Sequence, residues 1–198
     1  MKKTLKLFGI FVVIILMSSC TPNKIMTIVI DAGHGGKDNG AEIQNTFEKD
    51  ITLSISKRMK ELNNNDKIEI VLLRDNDEFT SLSDRVKKIN EINPDLLISL
   101  HLNSNNDTNE NGIEIFVSKL NSNYEKSKEI AETLINATYT KLKNRGINEA
   151  NFLILKDSNC PAIAIELGFI TNINDKEYLE SENGQNEIAE MILNNLKK

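Results

Sequence analysis

Apolar positions recur along this chain with two different periods. Near-continuous apolar runs at "MTIVID" (26–31), "KIEIVLLR" (67–74), "DLLISL" (95–100) and "PAIAIELGF" (161–169) predict strands buried on both faces. "GIEIFV" (112–117) alternates, which suits a strand at a sheet margin, and "NFLILK" (151–156) reads as one more. Between the runs the period lengthens. In "FEKDITLSISKRMKELNN" (47–64), Ile51, Leu53, Ile55, Met59 and Leu62 fall near helical spacing. "TSLSDRVKKINEIN" (80–93) opens on capping residues and stops at Pro94, the signature of a helix. Residues 123–144 predict a long amphipathic helix that stops at Gly146, and residues 183–198 a closing one. The Asn-rich stretches 63–65 and 103–111 read as polar loops, and no internal repeat is present.

Strands alternating with helices predict an α/β fold, a mostly parallel sheet of about six strands flanked by helices. The length of 198 residues suits one domain with a real core.

The N-terminus departs from this pattern. "MKKTLKLFGIFVVIILMSSC" carries Lys2, Lys3 and Lys6, an apolar run from Leu7 to Met17, then small residues and Cys20. That order marks a secretory signal, and the run falls short of the roughly 20 residues that span a bilayer. "LMSSC" resembles a bacterial lipoprotein processing site, although Met17 stands where such sites usually carry Leu, Val or Ile. The expectation is a signal peptide over 1–20, lipidation at Cys20, a short tether over 21–25 and a catalytic domain over 26–198. The chain is then exported and held by its lipid at the extracytoplasmic face of a membrane in the cell envelope. Loss of residues 1–19 removes three lysines and no acid, so the formal net charge falls further below −5. This balance argues against a nucleic-acid partner, whose affinity rests on basic patches. With 5% aromatic residues and no Trp, stacking platforms for sugars are not evident either. Cys160, beside Pro161 and an apolar run, reads as a small core residue with no partner for an internal disulfide.

The whole chain holds two histidines, and both are expected at strand C-termini: His34 in "IDAGHGGKDNG" after the first strand, His101 after the third. Ligands of open parallel α/β sheets bind at that edge, and imidazole is the commonest neutral metal ligand. Glu166 interrupts the apolar run of "PAIAIELGF". A buried carboxylate there needs a charged partner, a metal or a raised pKa, and a structural salt bridge is the simplest of these. Glu48 begins the first predicted helix, where a carboxylate also suits the helix dipole. Spacing does not choose among Glu42, Glu48 and Asp50 as a third ligand beside His34. Two histidines and a glutamate form one known catalytic zinc set, with a further glutamate left to move protons. The glycines around His34 fit neither a Walker loop nor the dinucleotide fingerprint; a tight turn or a close backbone approach accounts for them.

"IVIDAGHGGKDNGA", "EKDITL", "LLRDNDEFTSLSDRVKKIN", "PDLLISLHLNS", "GIEIFV", "RGINEANFLILK" and "PAIAIELGFITN" occur in this order over residues 27–172. In these pieces the chain resembles the zinc-dependent N-acetylmuramoyl-L-alanine amidases of the type 3 family. The resemblance implies a twisted, mixed, mostly parallel sheet and a Zn2+ held by His34, Glu48 and His101. It implies Glu166 as the catalytic glutamate, and peptidoglycan as substrate, cut between N-acetylmuramic acid and the L-alanine of the stem peptide. A zinc peptidase cutting within the stem peptide, or an inactive peptidoglycan-binding lipoprotein, are the alternatives. Family motifs often carry Pro where Ala32 stands. Regulated members carry a long insert that covers the zinc, and "SKLNSNYE" leaves no room for it, so the site is expected to be open.

Overall fold

A computed structural model describes residues 25–137 and 142–196. The predicted signal peptide, Cys20 and all of the tether but Ile25 lie outside the described residues. The elements in chain order are β1 (Met26–Ala32), β2 (Glu42–Ile43), β3 (Thr46–Phe47), α1 (Glu48–Leu62), β4 (Ile68–Leu72), α2 (Leu82–Ile92) and β5 (Leu96–Asn103). They continue with β6 (Ile113–Val117), α3 (Tyr124–Asn136), β7 (Asn144–Glu149), α4 (Leu153–Lys156), β8 (Ala162–Phe169), α5 (Ile173–Glu180) and α6 (Glu182–Asn195).

One six-stranded sheet has the order β4-β1-β5-β8-β6-β7. Its pairings are parallel except β6–β8, so β6 and β7 run against the other four strands. The sheet is therefore mixed and mostly parallel, as expected. Strands buried on both faces need a core on each side. On one face Ile28, Ile30, Ile98, Leu100, Ile163 and Ile165 pack with Ile51, Ile55 and Met59 of α1, with Leu134 of α3 and with Ile188 and Ile192 of α6. On the other, Val29, Leu97, Ala162 and Ala164 pack with Ile89 of α2 and with Ile154 and Leu155 of α4. The carboxyl ends of β4, β1, β5 and β8 share one edge, and α1 starts beside it.

Four expectations need correction. β5 runs on through Asn103, so His101 lies inside the strand; pairing with β8 through His101↔Glu166 and Asn103↔Phe169 extends it. "NFLILK" is not a strand: Leu153–Lys156 form a short helix that buries Ile154 and Leu155, a placement that a brief apolar run does not distinguish from a strand. The strand at that margin is β7, "NRGINE", a half-exposed edge whose polar sequence carries no apolar period. The predicted helix over 123–144 ends at Asn136, because long-range pairing wins further on. There the Ile113 N–H donates to Lys143 O at 2.8 Å, while Asn144 Nδ2 donates to the Ile135 carbonyl at 2.8 Å. The same ladder puts β6 inside the sheet with β7 beyond it.

Candidate metal centre

Four elements bring the sequence-derived site residues to the shared edge. β1 ends at Ala32, and the loop after it holds His34 at a φ of 58°, followed by Gly35 and Gly36, also at positive φ. β5 presents His101, and β8 presents Glu166 directly opposite it in register. α1 buries Ile51, Ile55 and Met59, and Glu48 stands on the same stripe one turn earlier, so the packing of the helix turns Glu48 inward. Glu48 is buried, whereas Glu42 and Asp50 are exposed.

One nitrogen from each of His34 and His101 and one Glu48 oxygen lie within 4.8 Å of one another. Glu48 Oε1 is 3.1 Å from His34 Nε2 and 2.8 Å from His101 Nδ1. Donors on one tetrahedral zinc stand about 3.3 Å apart, given bonds of about 2.0–2.1 Å. Two imidazoles and a carboxylate at this spacing therefore fit zinc in both type and separation. The ligand orientations are also set from outside. Asp38 Oδ2 lies 2.9 Å from His34 Nδ1, which leaves Nε2 facing inward. The Leu102 N–H donates to Glu48 Oε1 at 3.0 Å and the Ala41 N–H to Oε2 at 2.8 Å. Glycine is required where these groups crowd the backbone. A Cβ on Gly33 would stand 2.5 Å from His101 Cε1, and one on Gly40 2.4 Å from Glu48 Oε2.

Protons hold the metal-free cluster together. The hydrogen bond to Glu48 raises His34 from 6.5 to about 9, against the opposing effect of burial. Burial pushes Glu48 upward, but hydrogen bonds from His101 and His34 outweigh it and bring its pKa to about 2. Burial pushes His101 down, and the Glu48 contact reverses this to a net rise. A raised histidine contributes stability that is complete below about pH 6.5 and is lost as pH climbs through about 9. A zinc ion held at this cluster would have to displace that His34 proton. Zinc affinity is therefore expected to rise about tenfold per pH unit for each proton displaced between pH 6.5 and 9, measured by competition with a chelator of known pH dependence.

Glu166 is in a different situation. Its Oε2 is buried without a hydrogen-bond partner, unlike that of neighbouring Glu114, whose oxygens accept from Asn103 Nδ2 at 2.7 Å and Asn148 Nδ2 at 2.8 Å. Burial is the main cause that lifts Glu166 to about 7; His101 opposes it, and Glu48 and Glu114 add to it. The structural salt bridge considered for this residue is not formed among the described residues.

The sequence reading missed a second layer. Arg74 Nε donates to Ala32 O at 2.9 Å and its Nη2 to Gly33 O at 2.8 Å. Arg85 Nη1 donates to Ala32 O at 2.9 Å, and its Nη2 to His34 O. The two guanidiniums thus fix the carbonyls that lead into His34. Arg85 also pairs with buried Asp31, which accepts from Ser99 Oγ at 2.8 Å. The available signals were Arg74 closing an apolar strand and Arg85 one helical turn from Ile89, on the buried side of α2. Arg85→Met would leave Asp31 buried with only Ser99. It is expected to lower stability by about 3–5 kcal/mol, read by urea unfolding of the metal-free protein.

The profile of the N-acetylmuramoyl-L-alanine amidase family matches residues 28–198, which includes every residue of the cluster. The chain belongs to this family. It is 33% identical over 185 residues to the probable cell wall amidase LytH of Staphylococcus epidermidis, covering 91% of this chain and 60% of that one. With the N-acetylmuramoyl-L-alanine amidase LytC of Bacillus subtilis it shares 35% identity over 170 residues, 84% of this chain and 34% of that one. It therefore spans less than two thirds of either relative. The crystal structure of an N-acetylmuramoyl-L-alanine amidase from Clostridium difficile 630 superposes with a TM-score of 0.82 at 36% identity, covering 87% of this chain and 95% of that one. In this amidase-family chain the cluster sits where the sheet edge is open. The β6–α3 connection is short, and a cleft of about 480 Å³ reaches both histidines.

Proposed function

We propose that this chain is a zinc-dependent N-acetylmuramoyl-L-alanine amidase that hydrolyses the bond between N-acetylmuramic acid and the L-alanine of the stem peptide. The observation that carries this is Glu166, a half-buried carboxylate whose buried Oε2 has no hydrogen-bond partner, on the strand beside His101, in a chain of this family. His34, Glu48 and His101 would hold the zinc. When bound, zinc supplies Lewis acidity, polarising the amide carbonyl and lowering the pKa of water to about 7.

The chain's own groups do the remaining work. Glu48 and the two histidines meet within one cluster, and Asp38 and the two arginines keep His34 turned into it. Glu166, with a pKa near 7, suits both taking a proton from the attacking water and giving one to the departing alanine amine. The unpaired Oε2 is available to that proton. Burial around it limits competing water.

Residues 1–20 serve in this proposal as an export signal, with Cys20 lipidated and 21–25 as tether, so that the domain over 26–198 acts outside the cytoplasm. No helix among the described residues is long and apolar enough to cross a membrane. β1 enters the sheet at the edge opposite the cluster.

A defined disaccharide-pentapeptide tests the reaction. Mass spectrometry should find the disaccharide with a free lactyl carboxylate and an intact pentapeptide. Shortened peptides still attached to the sugar would instead identify a stem-peptide hydrolase, and unchanged substrate a binding protein.

A further inference from the structure

The two arms of a muramoyl amide differ in chemistry. The acyl arm is uncharged and carries the lactyl and N-acetyl methyl groups beside a sugar ring. The amine arm begins at L-alanine and continues into a glutamate whose α-carboxyl is free when not amidated. The site has two sides to match. Glu166 stands on β8, and β5 with His101 separates it from β1 and His34. A proton passed from Glu166 to the leaving amine requires the amine arm on the β8 side. The acyl arm then extends toward β1, where the cleft lies.

That cleft of about 480 Å³ is lined by His34, His101, Phe79, Leu82, Leu153 and Ile154. Leu82 is 57% exposed and Phe79 46% exposed, so two large apolar side chains stand open beside the metal ligands. Lys37 Nζ stands over the Phe79 ring, 4.5 Å from its centroid, and the lining side chains themselves hold no free cation. Arg85 is already committed to Asp31, and Asp38, paired with His34, repels an anion. A neutral, methyl-bearing group is complementary to the apolar side chains of this lining.

We infer that this cleft is the subsite for the muramoyl arm of the substrate, with Leu82 and Phe79 as its specificity-determining side chains. The inference rests on the amidase reading of the same site. Neither side chain touches the reacting atoms; each contributes contact area that the sugar-bearing arm covers.

Two substrates with the same scissile amide test it: a disaccharide-pentapeptide, and the lactoyl-pentapeptide left when the sugars are eliminated. Leu82→Ser and Phe79→Ser alter exposed positions, and circular dichroism checks that each variant keeps its fold. Each should lower kcat/KM on the sugar-bearing substrate about tenfold, chiefly through KM, and change the lactoyl-peptide less than about twofold. An equal fall on both substrates, or no change on the sugar-bearing one, overturns the subsite. If the unaltered protein hydrolyses neither substrate, the amidase reading falls and the subsite with it. If it hydrolyses both while the variants fail to discriminate, only the subsite falls.

Discussion

Glu166→Gln should abolish most of the amidase activity while leaving the zinc in place. The substitution preserves shape and removes the ability to accept a proton, and positioned acid–base groups contribute typically about 10²–10⁴-fold. Glu166 lies outside the three-donor cluster, so zinc content by atomic absorption should stay at the wild-type level. The residue also has little structural duty to lose, since its Oε2 has no hydrogen-bond partner. An amide at that position should therefore leave the urea unfolding midpoint unchanged or raised, because burial disfavours the charge it removes. Zinc loss in this variant would reassign Glu166 as a ligand. Undiminished hydrolysis would remove it from the mechanism.

Glu48→Ala should act in the opposite way, on the metal first. Its Oε1 faces both histidines and accepts from the Leu102 N–H, and its Oε2 accepts from the Ala41 N–H. Truncation removes one donor of the set and the anion that holds both imidazoles together. Zinc affinity should fall by more than about 100-fold, beyond the range expected for partners that only orient a ligand, and hydrolysis should cease. The raised pKa of His34 should return toward 6.5, visible as a shift of its ring proton titration by NMR of the metal-free protein, because Glu48 is the main cause of the rise. Zinc binding at wild-type strength in this variant would move the third ligand elsewhere. Glu42 is a poor replacement, being exposed and engaged by Asn39 Nδ2 at 3.0 Å, and Asp50 is exposed on α1.

The legibility of these features in the sequence follows their physics. β1, β5 and β8 are buried on both faces or nearly so, and their apolar runs state this directly, whereas β4, at the sheet's edge, leaves Glu69 exposed despite its apolar run. β7 is held by one neighbour and half exposed, so "NRGINE" needs no apolar period and shows none. α5 is likewise polar in sequence; it depends on Asn172 capping the Asn174 and Asp175 amides, a local bond with no periodic trace. In the site, His34 and His101 were visible by rarity, and Glu166 as a charge inside an apolar run. Glu48 was one of three acids at similar distance. The deciding signal was its phase, on the stripe of Ile51, Ile55 and Met59, which Asp50 does not share. Arg74 and Arg85 were hidden because their partners are backbone carbonyls in a loop remote in sequence. Asp31 is the last residue but one of β1, and its pairing with Arg85 is a tertiary fact.

The most direct measurement counts new L-alanine amino termini released from purified peptidoglycan by the zinc-loaded protein, by the same protein stripped with a chelator, and by the stripped protein after zinc is returned. The expected result is release that disappears on stripping and recovers with about one zinc per chain. Release that persists in stripped protein, or digestion that exposes no L-alanine termini, would contradict a zinc amidase built on His34, Glu48, His101 and Glu166.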